Sequence, residues 1–209
     1  IVQAPVLLLQ PQTQAPKMRT VDDTAAEIAR VDSAIETAKA QLAALRAKTI
    51  REAGEDAAAI FEVHTTILED PNYLDAVHSM ICMESLCAEY AVYSAGIQFA
   101  SIFSNMADEY MKERAADVRD LSTRVCDILL QQHSDPLAGC TRPVVVAAED
   151  LLPSQTVRLD KQKVAGFITR GGTFNSHAAI LARSLGIAAV AALDSGFDRL
   201  QTGDNAIVD

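Results

Sequence analysis

Two kinds of hydrophobic pattern divide the chain. Ile28, Val31, Ile35, Ala38, Leu42 and Leu45 recur at spacings of three and four, which sets them along one stripe of a helix. No Pro or Gly interrupts the stretch from Thr20 to Ala53, so the pattern predicts one long amphipathic helix. A second helix is predicted from Glu55 to Glu69, stopped by Pro71, because proline lacks an amide and clashes with the preceding turn. Helical periodicity then covers Tyr73 to His133. In it Met111, Ala115, Val118, Val125 and Leu129 form the apolar face, with Lys112, Glu113, Asp117 and Arg119 among the intervening polar positions.

The rest of the chain reads differently. Residues 1–10 form a strand-like run that stops at Gln10 to Pro16. Pro143 to Ala148, Val164 to Thr169, Ile187 to Ala192 and Asn205 to Val208 are short and rich in β-branched residues. A helix from Ser176 to Leu185 separates the second of these from the third, and strand, loop, helix, strand is the pattern of an α/β unit with a parallel pair. The N-terminal strand is expected to rejoin this sheet. The expected organisation is an α/β domain of residues 1–19 and 142–209 with an all-α helical domain, residues 20–141, inserted in it.

Composition narrows the function classes. With 209 residues, 49% hydrophobic, 9 Gly, 7 Pro and 4 Cys, the chain is neither disordered nor a disulfide scaffold. Its longest apolar runs fall far short of a membrane span, and residues 1–10 lack the charged region of a signal peptide, so a cytoplasmic location is expected. Cys82, Cys87, Cys126 and Cys140 show no zinc-type spacing; three lie in helical patterns, where Cys acts as a small hydrophobe. The net charge of −10 disfavours nucleic acid and anionic membranes and favours a basic partner. Residues 20–132 hold 20 acidic against 9 basic side chains, whereas the remainder is nearly neutral, so the two modules are expected to meet different partners.

Chemistry concentrates between Phe167 and Arg183. A strand ends, Gly171 and Gly172 open a polar loop with Thr173, and His177 falls in the first turn of the next helix. Asn175 or Ser176 can cap that helix, Ile180, Leu181 and Leu185 give it an apolar face, and Gly186 suits the position just past its end. A histidine at a helix N-terminus faces free amides and the positive end of the dipole, where a phosphoryl group is stabilised and imidazolium is not. The glycines let the backbone approach an anion, and Arg183 or Arg170 could neutralise its oxygens. These parts suit a phosphoryl-accepting histidine; the other reading is a capping or surface histidine. His64 has no second ligand at helical spacing, so buried packing or a helix-surface role accounts for it, and His78 and His133 show no partner.

Gly172, Ser176, His177, Ile180, Ala182 and Arg183 match the phosphohistidine signature G-G-x-x-S-H-x-x-I-hydrophobic-A-R, from which Thr173 departs at the second glycine. That signature is shared by Enzyme I of the phosphoenolpyruvate-dependent sugar phosphotransferase system, pyruvate phosphate dikinase and phosphoenolpyruvate synthase. The segments Ala59–Asp70 and Glu109–Asp120, with Leu152 to Thr156, resemble Enzyme I. The resemblance to its N-terminal half covers nearly the whole chain. It implies a swivelling α/β phosphohistidine domain and an inserted helical domain that binds the basic phosphocarrier HPr. It further implies that Thr156 lies beside the His177 ring and that Glu55 and Asp56 belong to the HPr-binding surface. A later acidic pair of that surface is Pro71-Asn72 here, which implies weaker or differently centred docking. Phosphoenolpyruvate, Mg²⁺ and the homodimer contact are implied for a C-terminal domain outside this chain, with no metal site within it. The alternatives are a paralogue serving a dihydroxyacetone kinase or a nitrogen-regulatory chain, and a non-enzymatic acidic helical adaptor.

Overall fold

The computed structural model describes residues 1–9, 15–131, 137, 139–149, 151, 159, 162–172, 179, 182–183 and 186–209, the side chains of residues 52, 53, 57, 109, 110 and 113 excepted. The chain divides into two compact units. One holds Ile1–Gln12, Lys48–Ala58 and Ser134–Asp209, the other Thr13–Ala47 and Ala59–His133.

The first unit is built on a five-stranded sheet. Its strands are β1 (Val2–Leu8), β2 (Val144–Ala148), β3 (Val164–Thr169), β4 (Ala188–Val190) and β5 (Asn205–Val208), in the order β4-β3-β2-β1-β5. Neighbours are parallel from β1 to β4, with Val6 opposite Val145 and Phe167 opposite Ala189, whereas β5 runs antiparallel to β1 with Val2 opposite Val208. The N-terminal strand therefore does rejoin the sheet, between β2 and β5. All five residues of β2 are buried, as the unbroken Val-Val-Val-Ala-Ala run requires of a strand covered on both faces. Val144, Val146 and Ala148 pack on one face with Phe167, Leu151 and Ala182, and Val145 and Ala147 on the other with Val6, Ile168 and Phe197. Phe197 comes from a 3-10 helix, Asp194–Arg199, that the sequence pattern had not indicated.

The helices are α1 (Thr24–Ala53), α2 (Glu55–Leu68), α3 (Pro71–Glu84), α4 (Ala88–Ser104) and α5 (Glu109–Leu129). Of the predicted stripe on α1, Val31, Ile35, Ala38 and Leu42 are buried. The helix starts later than expected. Asp23 accepts a hydrogen bond from the Ala26 amide at 2.9 Å as its cap, while Thr20 is drawn into a bridge with Leu86. Pro71 begins α3 as well as barring the extension of α2: Asp70 caps α3 by accepting from the Asn72 amide at 2.8 Å, and Pro at the first helical position gives up no hydrogen bond. The predicted helical stretch 73–133 is three helices. Its first break falls at Ser85, whose left-handed φ of 55° turns the chain out of α3.

In the second unit α4 and α5 meet at closest approach through Gly96 and Ser122. A Cβ at Gly96 would stand 2.5 Å from the Ser122 Cβ, inside any real contact. The Ser122 hydroxyl is also committed, bonding Tyr73 Oη at 3.0 Å and donating to the Val118 carbonyl at 2.8 Å. Gly96→Ala is accordingly expected to cost about 1–3 kcal/mol by overpacking, with Ser122→Ala recovering part of the loss in the double variant. Urea unfolding followed by far-ultraviolet circular dichroism measures both; an unchanged midpoint in the single variant would contradict the packing described.

Candidate functional site

β3 ends at Thr169 and hands the chain to Arg170, Gly171 and Gly172. The turn is held from three sides. The Arg170 and Gly171 amides donate to the Ala148 and Glu149 carbonyls, at 3.1 and 3.0 Å, which ties the turn to the end of β2. Thr169 Oγ1 donates to the Gly171 carbonyl at 2.8 Å. From the segment after β4, the Ala192 and Leu193 amides donate to the Gly171 and Thr169 carbonyls at 3.2 and 3.1 Å. Gly172 follows at φ 91°, a conformation glycine adopts at little steric cost and other residues do not.

Beyond the turn, Ala179, Ala182 and Arg183 are helical. Ala182 is buried against Val144, Val146 and Phe167, so this helix is seated on one face of the sheet. Its end is closed as the sequence suggested. Gly186, at φ 66°, donates to the Arg183 carbonyl at 3.2 Å, and the Ile187 amide reaches back to the Ala182 carbonyl at 2.8 Å, the paired bonds of a Schellman motif. Arg183 is exposed on this helix. His177, Thr156, Thr173, Asn175 and Ser176 lie outside the described residues. The described frame is thus strand, glycine turn and capped helix, with Gly171, Gly172 and Arg183 placed on it.

Arg170 requires a correction. The sequence offered it, as an alternative to Arg183, as a neutraliser of phosphate oxygens. In the structure its Nε lies 3.0 Å from Glu149 Oε2, its Nη2 pairs with Asp198, and its guanidinium sits 5.1 Å from the centre of the Phe197 ring. The two carboxylates come from the residue after β2 and from the 3-10 helix, elements too far along the chain for local reading to bring together.

The other sequence-selected residues separate clearly. Glu55 and Asp56 are exposed in the first turn of α2, directly after Gly54 at φ 89°. His64 is fully buried, its ring edge-on to Phe61 and its Nε2 3.4 Å from Asp117 Oδ1. Asp117, one of the intervening polar positions of its helix, is buried too, and Arg114 donates to its Oδ2 at 2.7 Å. Cys87 and Cys126 are buried as small hydrophobes, whereas Cys82, expected with them, is exposed on the last turn of α3. Burial pushes the Cys126 thiol up to about 12. Among the described residues no three His, Cys, Asp or Glu side chains gather as metal ligands, and no helix is long and apolar enough to cross a membrane.

Comparison with known proteins decides the family. Residues 1–114 match the model of the PEP-utilising enzyme N-terminal family, and residues 140–209 that of the PEP-utilising enzyme mobile domain. The chain belongs to the PEP-utilising enzymes. Within that family it is similar to the N-terminal part of Enzyme I. The phosphoenolpyruvate-protein phosphotransferase of Geobacillus stearothermophilus is 43% identical over 93% of this chain, and that of Staphylococcus aureus 38% identical over 97%. The chain spans about a third of those relatives' length, 34% and 36% respectively. Among solved structures, an Enzyme I (nEIt) protein studied by NMR in solution is 35% identical with a TM-score of 0.73, covering 99% of this chain and 85% of that one. The N-terminal domain of "Enzyme 1 - Nitrogen" is 26% identical with a TM-score of 0.66, covering 91% of this chain and 78% of that one.

Two buried carboxylates make stability of the helical unit pH-dependent. Burial opposes the charge on Asp117, but His64 and Arg114 outweigh it and hold the carboxyl below the ordinary aspartate value of 3.8. Glu89 is likewise opposed by burial and held below 4.5 by Arg30, whose Nη2 lies 2.7 Å away. With folded values depressed, the unfolded chain binds more protons, so this stability is complete above the ordinary values and is lost as pH falls through the folded ones. Thermal unfolding between pH 7 and pH 3 should show the midpoint dropping at the acid end, and the drop should be shallower in Asp117→Asn. A midpoint independent of pH down to 3 would contradict the assignment.

Proposed function

We propose that His177 is a phosphoryl-accepting nucleophile and that this chain exchanges a phosphoryl group with a basic HPr-type carrier. The observation carrying the reading is the described frame around the signature, in which the glycine turn after β3 leads into a helix seated on the sheet through Ala182 and closed at Gly186. Amides at the start of such a helix would stabilise phosphoryl oxygens. Neutral imidazole at His177 attacks the phosphorus of the carrier's phosphohistidine. The N–P bond to the carrier breaks as the bond to His177 forms, and the electron pair returns to the carrier's ring. Thr156 hydrogen-bonds the ring, and the main chain from Gly171 through Ser176, with Arg183, meets the oxygens.

Glu55 and Asp56 support carrier binding because they are exposed at the start of a helix in an acidic stretch of sequence. Their charge attracts a basic surface and raises the encounter rate. In the whole protein, acting in the cytoplasm, phosphoenolpyruvate would be the donor and sugar transport the beneficiary. Among the described residues, the carboxylates Glu149 and Asp198 beside the glycine turn are both engaged by Arg170 and do not fit a Mg²⁺ site. No step here passes through that ion, and donor, magnesium and dimerisation are proposed for length that this chain does not span. The similarity to the nitrogen-type neighbour supports a second carrier type, which the choice of phosphorylated carrier in the same assay distinguishes.

Intact-mass measurement tests the reading. Incubation with phospho-HPr should add one acid-labile phosphoryl group to the chain, whereas phosphoenolpyruvate with Mg²⁺ alone should add none. His177→Ala should abolish the gain with the fold retained; a gain that persists in this variant refutes the nucleophile. Salt gives an independent check. Affinity for HPr should fall as the Debye length shrinks below about 8 Å, and Glu55→Lys with Asp56→Lys should slow association more than it speeds dissociation. Salt-independent binding would exclude acidic docking.

A further inference from the structure

The segment that closes on the glycine turn is strained. Ala192 and Asp194 both hold left-handed φ angles, 58° and 45°, without being glycine. Each such residue costs about 1 kcal/mol or more and persists only where surrounding contacts over-determine it. Those contacts are visible. The first strained residue aims the Ala192 and Leu193 amides at the Gly171 and Thr169 carbonyls, and the second starts the 3-10 helix that brings Phe197 and Asp198 to Arg170. Phe197 itself is buried among Val6, Val145 and Ile168, so the surface on which the guanidinium rests is part of the core.

We propose that Arg170 is a positioning residue for phosphoryl transfer, acting through the Gly171–Gly172 turn on the segment that carries His177. The inference rests on the reading of His177 as the acceptor. A planar guanidinium carries its charge over a broad edge, and here Nη2 pairs with Asp198 in the 3-10 helix while Nε, buried and making no hydrogen bond, lies in ion-pair range of Glu149 Oε2, just after β2, at 3.0 Å. One side chain thereby ties together the two elements that flank the turn, at the residue from which the turn departs. Lysine offers a single point charge and cannot span both carboxylates with fixed geometry. Glu149 and Asp198 are 53% and 62% exposed, so the ion pairs add little to global stability. Their effect is on where the turn is held, and a small displacement of a reacting group slows transfer steeply.

The test uses the 209-residue chain with phospho-HPr and reads rate, KM and melting temperature together. Arg170→Met keeps the stem of the side chain and its contact with Phe197 but removes both ion pairs. It should lower kcat for transfer by about tenfold, with KM for phospho-HPr and the melting temperature little changed. Arg170→Lys should recover part of the rate, and Glu149→Gln combined with Asp198→Asn should reproduce the loss while leaving Arg170 in place. An unchanged kcat in Arg170→Met overturns the proposal, as does a raised KM at constant kcat, which would make Arg170 a carrier contact. Failure of the underlying reading is distinguishable, because the wild-type chain would then take up no label at all. Amide exchange at Gly171 and Ala192 decides in that case: faster exchange in Arg170→Met supports a turn held by Arg170, and identical exchange overturns it.

Discussion

The arrangement of the α/β unit follows from the place of one strand. β1 lies between β2, to which it is parallel, and β5, to which it is antiparallel. Two parallel neighbours cannot be joined by a tight turn, because the chain must return to the starting end of the sheet before it pairs again. The return from β1 to β2 includes helices α1 to α5. Once β2 is set beside β1, β3 and β4 follow in parallel and their carboxyl ends gather at one edge, where open α/β sheets characteristically place ligands. Glu149, Arg170 to Gly172, and Ala192 all follow the ends of those strands.

The helical unit is held by a different means, since its interior contains charge. Glu89 is buried at the start of α4 and receives Arg30 at 2.7 Å and Arg19 at 3.4 Å, while Glu27 accepts from the Ala88 amide at 2.7 Å and so satisfies one free donor of that helix. Such groups tolerate burial only because partners replace the water they lose. The contact of Gly96 with Ser122 adds a steric condition. Sliding α4 along α5 would carry neighbouring side chains into a gap that has no room for a methyl group, so the two helices move as one body.

How far the sequence disclosed this depends on the distance over which each signal acts. The stripe on α1 and the glycine that closes the helix at Gly186 are local, and both are found where their spacing puts them. The strand at residues 1–10 was visible from its apolar run, and its return to the sheet from the α/β pattern. The burial of Asp117 was not legible, because polarity alone does not distinguish a solvated carboxylate from one buried beside His64 and Arg114, residues distant or on its own helix. The 3-10 helix has only six residues, too few for periodicity to register. Arg170 could be offered beside Arg183 for the phosphate oxygens because the acids that occupy it come from separate elements, and the left-handed angles at Ala192 and Asp194 had no glycine to announce them. The signature at His177 was legible as a motif, and so was the family.

The interior position of β1, between β2 and β5, also orders the events of folding. This strand leaves the ribosome ahead of β2 and β5, yet its hydrogen-bonding edges have no strand partner until residues beyond 144 and beyond 205 have been made. α4 and α5, joined by a short connection, can pair through local contacts long before that. The sheet is thus the high-contact-order half of the molecule, its closure waiting on the last strand to emerge. Once β2 has paired, β1 still presents one open edge until β5 arrives, and in that interval the nascent chain is exposed to pairing with another copy of itself.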